Sequence, residues 1–452
     1  MTKWSRWTAG SAALLLALAG CGGGGSDPDD PTLTVWSLEN LTDRVQATQR
    51  IVDRFTAETG IPVKLVATDE NQFSSLITNA AAAGTLPDVV GALPLAAVAQ
   101  MHTNELVDTA AAGAVVDQLG RAGFTGRALE LTSQDGAQLA VPSDGWAQLL
   151  FYRKDLFEAA GLARPDTYDA IRAAAQKLNT KDVAGITLAT VGNDAFTQQT
   201  FENLALGNGC RLVDDAKAVQ LDSPACVASF QFYADLVTKW SVPGAQDVDT
   251  TRATYFSGKA AMIVWSSFLL DELAGLRNDA LPTCPRCAGD PQWLAKNTGV
   301  VTAVAGPDGQ PAQYGEITSW AITRDSPRSE QAKRFVAYMM NEGYADWLGI
   351  APEGKIPVRA GAADWNTLPA GVDTKKPLAE VYPADVLTAL RDSPGTFQRW
   401  GFPEKQGALV GATLGELPVP KSLSALAGGE VDAAGAAKRA ADDVRAIQKS
   451  LE

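Results

Sequence analysis

The chain is 452 residues long, with 46% hydrophobic and 20% charged residues. A single hydrophobic core rarely grows past about 250–300 residues, so at least two domains are expected and a mainly disordered or collagen-like chain is excluded. Lys and Arg total 38 against 52 Asp and Glu, a net charge of -14, which argues against the long basic surface of a nucleic-acid binder. The lone histidine, His102, leaves multi-histidine metal sites nothing to build with, and no nucleophile motif accompanies it.

Lys3 and Arg6 precede an uncharged apolar run from Ala12 to Ala19. That run is too short to span a bilayer and reads as a secretory signal over 1–20. It ends in Leu18-Ala19-Gly20-Cys21, which resembles the lipobox of bacterial lipoproteins and would make Cys21 the lipidated mature N-terminus. Residues 21–31, rich in Gly, Asp and Pro, form a polar tether that cannot bury enough surface to fold. No later apolar run is long enough to cross a membrane, so the only membrane attachment expected is this lipid.

Export favours disulfides for Cys210, Cys226, Cys284 and Cys287. Four cysteines permit three pairings, and local loop closure favours Cys210–Cys226 with Cys284–Cys287. The second pair spells Cys-Pro-Arg-Cys. A redox site would need that motif at the start of a helix after a strand, whereas its flanks here are loop chemistry. Structural staples are therefore preferred over redox or zinc chemistry, and no metal or other cofactor is expected.

Leu33-Thr34-Val35-Trp36 is a strand, and Thr42–Thr59 a helix with Val45, Ile51, Val52 and Phe55 on one face, stopped by Gly60. Ile61–Val66 is a second strand, Phe73–Ala83 a helix ending at Gly84, and Pro87–Val90 opens a third strand. This β-α-β-α-β rhythm predicts a sheet covered by helices. The residues after Trp36 are Ser-Leu-Glu-Asn, with neither a dinucleotide fingerprint nor a Walker motif. Strand-like pieces at 139–142 and 148–152 flank a Ser-Asp-Gly turn. Short helices follow at 155–160 and, capped by Thr167, at 168–178. Further helices are expected at 227–240 and 329–342, strands at 298–305 and 319–322, and a terminal helical stretch at 423–451 broken at Gly428-Gly429.

The segment Leu150–Leu162, LFYRKDLFEAAGL, continues into Pro165-Asp166-Thr167-Tyr168-Asp169 and Ala174-Ala175-Gln176-Lys177-Leu178. It resembles the characteristic segment of the carbohydrate-type extracellular solute-binding proteins, the maltose-binding-like receptors of ABC importers. Arg153 and Tyr168 stand where the family often has Asn and Trp. Phe256–Met262 with Trp265 resembles a second family segment. Ser319–Ile322, the helix from Glu330 and Lys355–Arg359 resemble a third. The similarity runs in consistent order over nearly the whole mature chain.

The resemblance implies an α/β, two-lobed periplasmic-binding-protein-like type II fold with a ligand cleft. The first lobe would take 32–142 and 299–350, the second 143–298 and 351–452. It implies a monomer that binds a carbohydrate, closes by hinge motion and presents it to the membrane permease subunits of an ABC importer without changing it. By family position the cleft would hold Trp36, Glu39, Asp88, Asp144, Trp146, Trp265, Glu316, Trp320 and Arg359. Aromatic rings suit the apolar faces of a sugar, and carboxylates, arginine and backbone groups suit its hydroxyls. A secreted glycoside hydrolase would also display aromatics and paired carboxylates, and a scaffold lipoprotein would share the fold without a small ligand.

Overall fold

The computed structural model describes residues 30–277, 280–360, 365–370 and 376–452. The signal segment, Cys21 and all but the end of the tether lie outside the described residues.

The first lobe opens as the alternation predicts. β1 (Leu33–Ser37), α1 (Thr42–Thr59), β2 (Val63–Ala67), α2 (Phe73–Ala83) and β3 (Val89–Pro94) follow one another. α1 buries Thr48, Ile51, Val52 and Phe55 and ends on Gly60 in the left-handed conformation, where a side chain would be strained. β1 lies between β2 and β3, parallel to both. α3 (Leu95–Thr103), which carries His102 in its last turn, starts directly after β3. α4 (Thr109–Leu119) is capped by the Asp108 carboxylate, which accepts from the Ala111 N–H at 2.9 Å. α5 (Gly126–Leu131) and a small hairpin, β4 (Ser133–Gln134) and β5 (Ala137–Gln138), lead into β6 (Val141–Arg153).

β6 corrects the sequence reading. The Ser-Asp-Gly turn expected at 143–145 is absent, and one strand of 13 residues runs straight through. The glycine serves close approach instead of a turn. A Cβ at Gly145 would lie 2.8 Å from the Phe397 ring and 2.9 Å from the Glu316 carbonyl oxygen.

The second lobe contains α6 (Lys154–Ala160), α7 (Tyr168–Leu178), α8 (Ala195–Gly207), α9 (Pro224–Lys239), α10 (Val248–Phe256), β7 (Met262–Ser266), α11 (Leu269–Leu273), α12 (Trp293–Lys296) and β8 (Thr298–Val301). The Thr167 hydroxyl accepts from the Ala170 N–H and caps α7, as read from the sequence. The chain returns along β9 (Gln313–Ile322), then α13 (Ser329–Met339) and α14 (Tyr344–Leu348). It ends with β10 (Ile356–Pro357), β11 (Pro369–Ala370), β12 (Lys376–Pro377), α15 (Ala384–Asp392), β13 (Phe397–Gln398), α16 (Gly407–Glu416), α17 (Pro418–Ala427) and α18 (Ala433–Ser450). The break read at Gly428-Gly429 falls between the last two helices.

The main sheet has the order β10-β6-β9-β3-β1-β2, with β7 and β8 added on β6 and β13 on β9. The first half of β6 pairs antiparallel with β9, from Val141 opposite Trp320 to Ala147 opposite Gly315. Its second half pairs with β7, Gln148 opposite Ser266, and with β8, Arg153 opposite Thr298. β6 and β9 therefore run from one lobe into the other. Of the segment 299–350, only the start packs apart from the first sheet; α13 and α14 pack with Val35 and Phe55. β8 hydrogen-bonds within the second lobe, its Val300 and Val301 lie in that lobe's core, and the crossing occurs along β9.

The cores are laid out accordingly. On one face of the first sheet Val35, Phe55, Phe335, Trp320 and Trp347 pack together, and on the other Phe73, Ile77, Val90 and Leu93. The second lobe buries Phe151, Phe201, Phe230, Tyr233, Leu423 and Val444 in one cluster. Both local disulfides form, Cys210–Cys226 with S–S 2.02 Å and Cys284–Cys287 with S–S 2.06 Å. The second lies in the loop between α11 and α12, not at a helix start. No described helix is long and apolar enough to cross a membrane.

Candidate functional site

Side chains alternate across a strand, so Asp144, Trp146 and Gln148 share one face of β6 with Gly145 and Ala147 pointing away. Opposite them β9 presents Thr318, Glu316 and Tyr314, with Thr318 facing Asp144 and Glu316 facing Trp146. The Trp146 ring lies 5.7 Å from Tyr314 and 6.5 Å from Phe268, which follows β7. Trp146 and Phe268 are half-buried, whereas Gln148 and Tyr314 are buried. On the reverse face Phe397 covers Gly145 and Gly315.

Three charged groups bind this face to the loops around it. Lys355 Nζ lies 2.5 Å from Glu39 Oε1 and 3.7 Å from Asp144 Oδ2. Arg44 Nη1 lies 3.1 Å from Glu39 Oε2, and its guanidinium sits over the Phe268 ring at 5.0 Å. Burial alone would push the Glu39 carboxyl up, but Lys355 and Arg44 overcome it and hold the group down at about 2. Arg399 pairs with Glu316, lies 3.4 Å from Glu202 and stacks 4.5 Å over Tyr314. Glu316 Oε1 also accepts the N–H of Leu95 at 2.9 Å and so anchors the start of α3.

Several polar atoms on this face lack a partner inside the protein. Both amide atoms of Gln148 and the Tyr314 hydroxyl are buried without a hydrogen bond. Buried polar groups are almost always satisfied, so such a group on a strand that passes between lobes marks a place where a polar ligand can supply the missing bonds.

The structure brings Glu39, Asp144, Trp146 and Glu316 together, and it separates the other expected ligand residues from them. Asp144 is used from within. Its oxygens accept from Trp347 Nε1 at 2.6 Å, Ser143 Oγ at 2.7 Å and Thr318 Oγ1 at 2.6 Å, so it positions Thr318 and Lys355. Trp36 packs on the α2 and α3 side of the first lobe, against the Phe73 and Ile77 cluster. Asp88 precedes β3 at the opposite end from the loop that carries Glu39. It accepts from Thr34 N–H at 2.8 Å and Ser326 Oγ at 2.6 Å, and faces Arg328 at 3.6 Å, a brace between strands. Trp265 is buried, with its indole N–H donated to the Val248 carbonyl and its ring beside Phe196. Trp320 is fully buried on Phe335 and Trp347, and a Cβ at Gly91 would lie 2.0 Å from its ring. Arg359 donates to the carbonyls of Met340 and Leu119 and so ties two helix ends together. Asp88, Trp265 and Trp320 are enclosed by these contacts, whereas Trp36 and Arg359 stay half-buried away from the gathered residues.

Sequence reasoning missed Gln148, Tyr314, Lys355 and Arg399. The signal for Gln148 was present, since Asp-Gly-Trp-Ala-Gln alternates large polar or aromatic residues with small ones. Reading a turn there hid it. A cavity of about 420 Å³ lined by Arg127, Gln313, Phe397 and Gln398 shares none of the gathered residues; its Arg127 is engaged by Glu130 and the Phe397 carbonyl.

A fold of two lobes joined by shared strands, with aromatic, amide and paired charged side chains on the strands between them, is that of a solute-binding protein. The chain belongs to the bacterial extracellular solute-binding protein family, whose model matches residues 39–346. Among curated relatives, the putative ABC transporter periplasmic-binding protein YcjN of Escherichia coli K12 is 28% identical over 324 residues, 70% of each chain. The mannitol-binding protein of Pseudomonas aeruginosa is 26% identical over 235 residues, 48% of this chain and 50% of its own. Among solved structures, the GacH receptor of Streptomyces glaucescens superposes with a TM-score of 0.70 at 21% identity, over 92% of this chain and 98% of that one. The maltose-bound MalE3 of T. maritima does so with a TM-score of 0.70 at 19% identity, over 92% and 99%. These likenesses show the fold.

Proposed function

We propose that this protein binds a carbohydrate between its lobes outside the cell and delivers it, chemically unchanged, to the membrane subunits of an ABC importer. The observation that carries this reading is the face formed by Trp146, Gln148, Tyr314 and Glu316. It combines a half-exposed aromatic ring with buried, unsatisfied hydrogen-bonding groups, the pairing that a sugar's apolar faces and hydroxyls need. The relatives support it: one carries the name of an ABC transporter binding protein and another binds mannitol. We further propose that lobe one is built on 32–142 and the strand return from β9, that Cys21 carries the lipid, and that the body works as a monomer. Glu39 and Glu316, held by Lys355 and Arg399, brace the elements that carry this face.

The test is a thermal-shift screen of the soluble body over mono-, di- and oligosaccharides and polyols, followed by calorimetry on the hits. A stabilising saccharide recovered unchanged supports binding without turnover. Released reducing ends would instead make the protein a glycoside hydrolase, and a screen without any hit would leave only the scaffold role.

A further inference from the structure

Glu70 opens a short turn, Glu70–Gln72, just after β2. Its side chain is exposed to solvent, yet protein crowds it enough that burial, joined by Glu316, Glu39 and Asp69, pushes its carboxyl up to about 7. Every one of these influences acts in the same direction. β1 and β2 run parallel and the Thr68 N–H donates to the Ser37 carbonyl at 2.9 Å, so Glu70 leaves the sheet at the same end as Glu39. The neighbouring carboxylates are engaged, Glu316 by Arg399 and Leu95, Glu39 by Lys355 and Arg44. Among the described residues Glu70 has neither a hydrogen bond nor an ion pair.

A second observation points to the same space. The Tyr314 hydroxyl is buried without a partner, and Glu70, Glu316, Glu202 and Arg399 all act on it. Gln148, with both amide atoms unsatisfied, lies on the same side of the crossing strands as Trp146, whose ring is 5.7 Å from that of Tyr314. When the lobes close on a neutral sugar, an ionised Glu70 would be enclosed opposite other carboxylates without a counter-charge. That is costly, and the group would have to take up a proton. A ligand that brings its own cation removes the cost.

We propose that this cleft selects saccharides bearing a protonated amine, with Glu70 receiving the ammonium group while Trp146, Tyr314 and Gln148 hold the ring face and the hydroxyls. The proposal rests on the carbohydrate reading above and narrows it.

The test titrates the protein calorimetrically with matched sets: glucose, glucosamine and N-acetylglucosamine; galactose and galactosamine; cellobiose, the β-1,4 glucosamine disaccharide and its N-acetylated form. The amine member of at least one set is expected to bind tenfold or more tightly than its neutral and acetylated counterparts. At pH 6, where Glu70 is largely protonated, that binding should release a proton, read from the dependence of the heat on buffer ionisation. Glu70→Gln should fold with an unchanged melting curve, bring the amine-to-neutral affinity ratio close to one and abolish the proton release. Neutral sugars binding as tightly as their amine partners, or a preference that survives in Glu70→Gln, would overturn the selectivity and leave the carbohydrate reading standing. No binding of any saccharide, neutral or amine, would overturn both.

Discussion

Lys355 and Glu39 form an ion pair of 2.5 Å between the loop that follows the first strand and the segment that leaves the first lobe. Both side chains are nearly inaccessible, and Asp144 on the crossing strand completes the arrangement at 3.7 Å. One ammonium group thus ties the first lobe, the crossing strand and the chain's exit from α14 to a common point. Removing it leaves Asp144 buried without a cation and Glu39 with Arg44 alone. Lys355→Met is expected to cost about 3 kcal/mol, at the low end for a broken buried pair because Arg44 stays with Glu39. Adding Glu39→Gln to that variant should recover part of the loss. Urea unfolding of the wild type, both single variants and the double variant measures the coupling.

The aromatic residues divide by role. Trp146→Ala should weaken a genuine saccharide at least tenfold, about 1.4 kcal/mol, while the melting temperature of the free protein moves little. Trp320→Ala should do the opposite, costing about 3–5 kcal/mol of stability through the cavity left between Phe335 and Trp347. Trp265→Ala should follow Trp320→Ala, since its indole is spent on the Val248 carbonyl. Calorimetry and denaturant unfolding of the same preparations separate the two classes.

That division shows what the sequence could and could not supply. The β-α-β-α-β opening, the glycine stops at Gly60 and Gly84, the Thr167 cap and both disulfides follow from local chemistry, and each was readable from adjacent residues. The site depends on register. Trp320 and Trp146 both stand beside strand-forming residues, and only the pairing of β6 with β9, together with the helices over each face, decides which indole is enclosed. Asp88 and Arg359 look like free charges in a string of letters. Their partners, Thr34, Ser326, Met340 and Leu119, lie far away in the chain. Gln148 was hidden because Gly145 suggested a turn, when its lack of a side chain instead makes room for Phe397.

Asp271 on α11 and Glu353 in the turn before Lys355 are buried together, and burial pushes both carboxyls up against the pull of Arg44 and Arg277. The folded protein therefore keeps protons that the unfolded chain gives up above the ordinary carboxylate range, about 4. Stability is expected to fall as pH rises from about 5 through neutrality. Glu353→Gln should flatten that slope. Urea midpoints of both proteins at pH 5 and pH 8 provide the check.

The two disulfides close loops of very different size, with sequence separations of 16 and 3. On the chain-entropy argument, replacing Cys210 and Cys226 by serine should cost about 3 kcal/mol, and replacing Cys284 and Cys287 distinctly less. Unfolding midpoints of the two double variants give the order.

Binding without turnover is the central claim, and titration of the protein with saccharides, with the ligand recovered and analysed afterwards, tests it most directly. The account predicts saturable heat with one saccharide class, a more compact scattering profile when bound, loss of at least tenfold in affinity in Trp146→Ala, and ligand recovered intact. A cleaved ligand, or a saturating saccharide whose affinity is indifferent to Trp146→Ala, would contradict it.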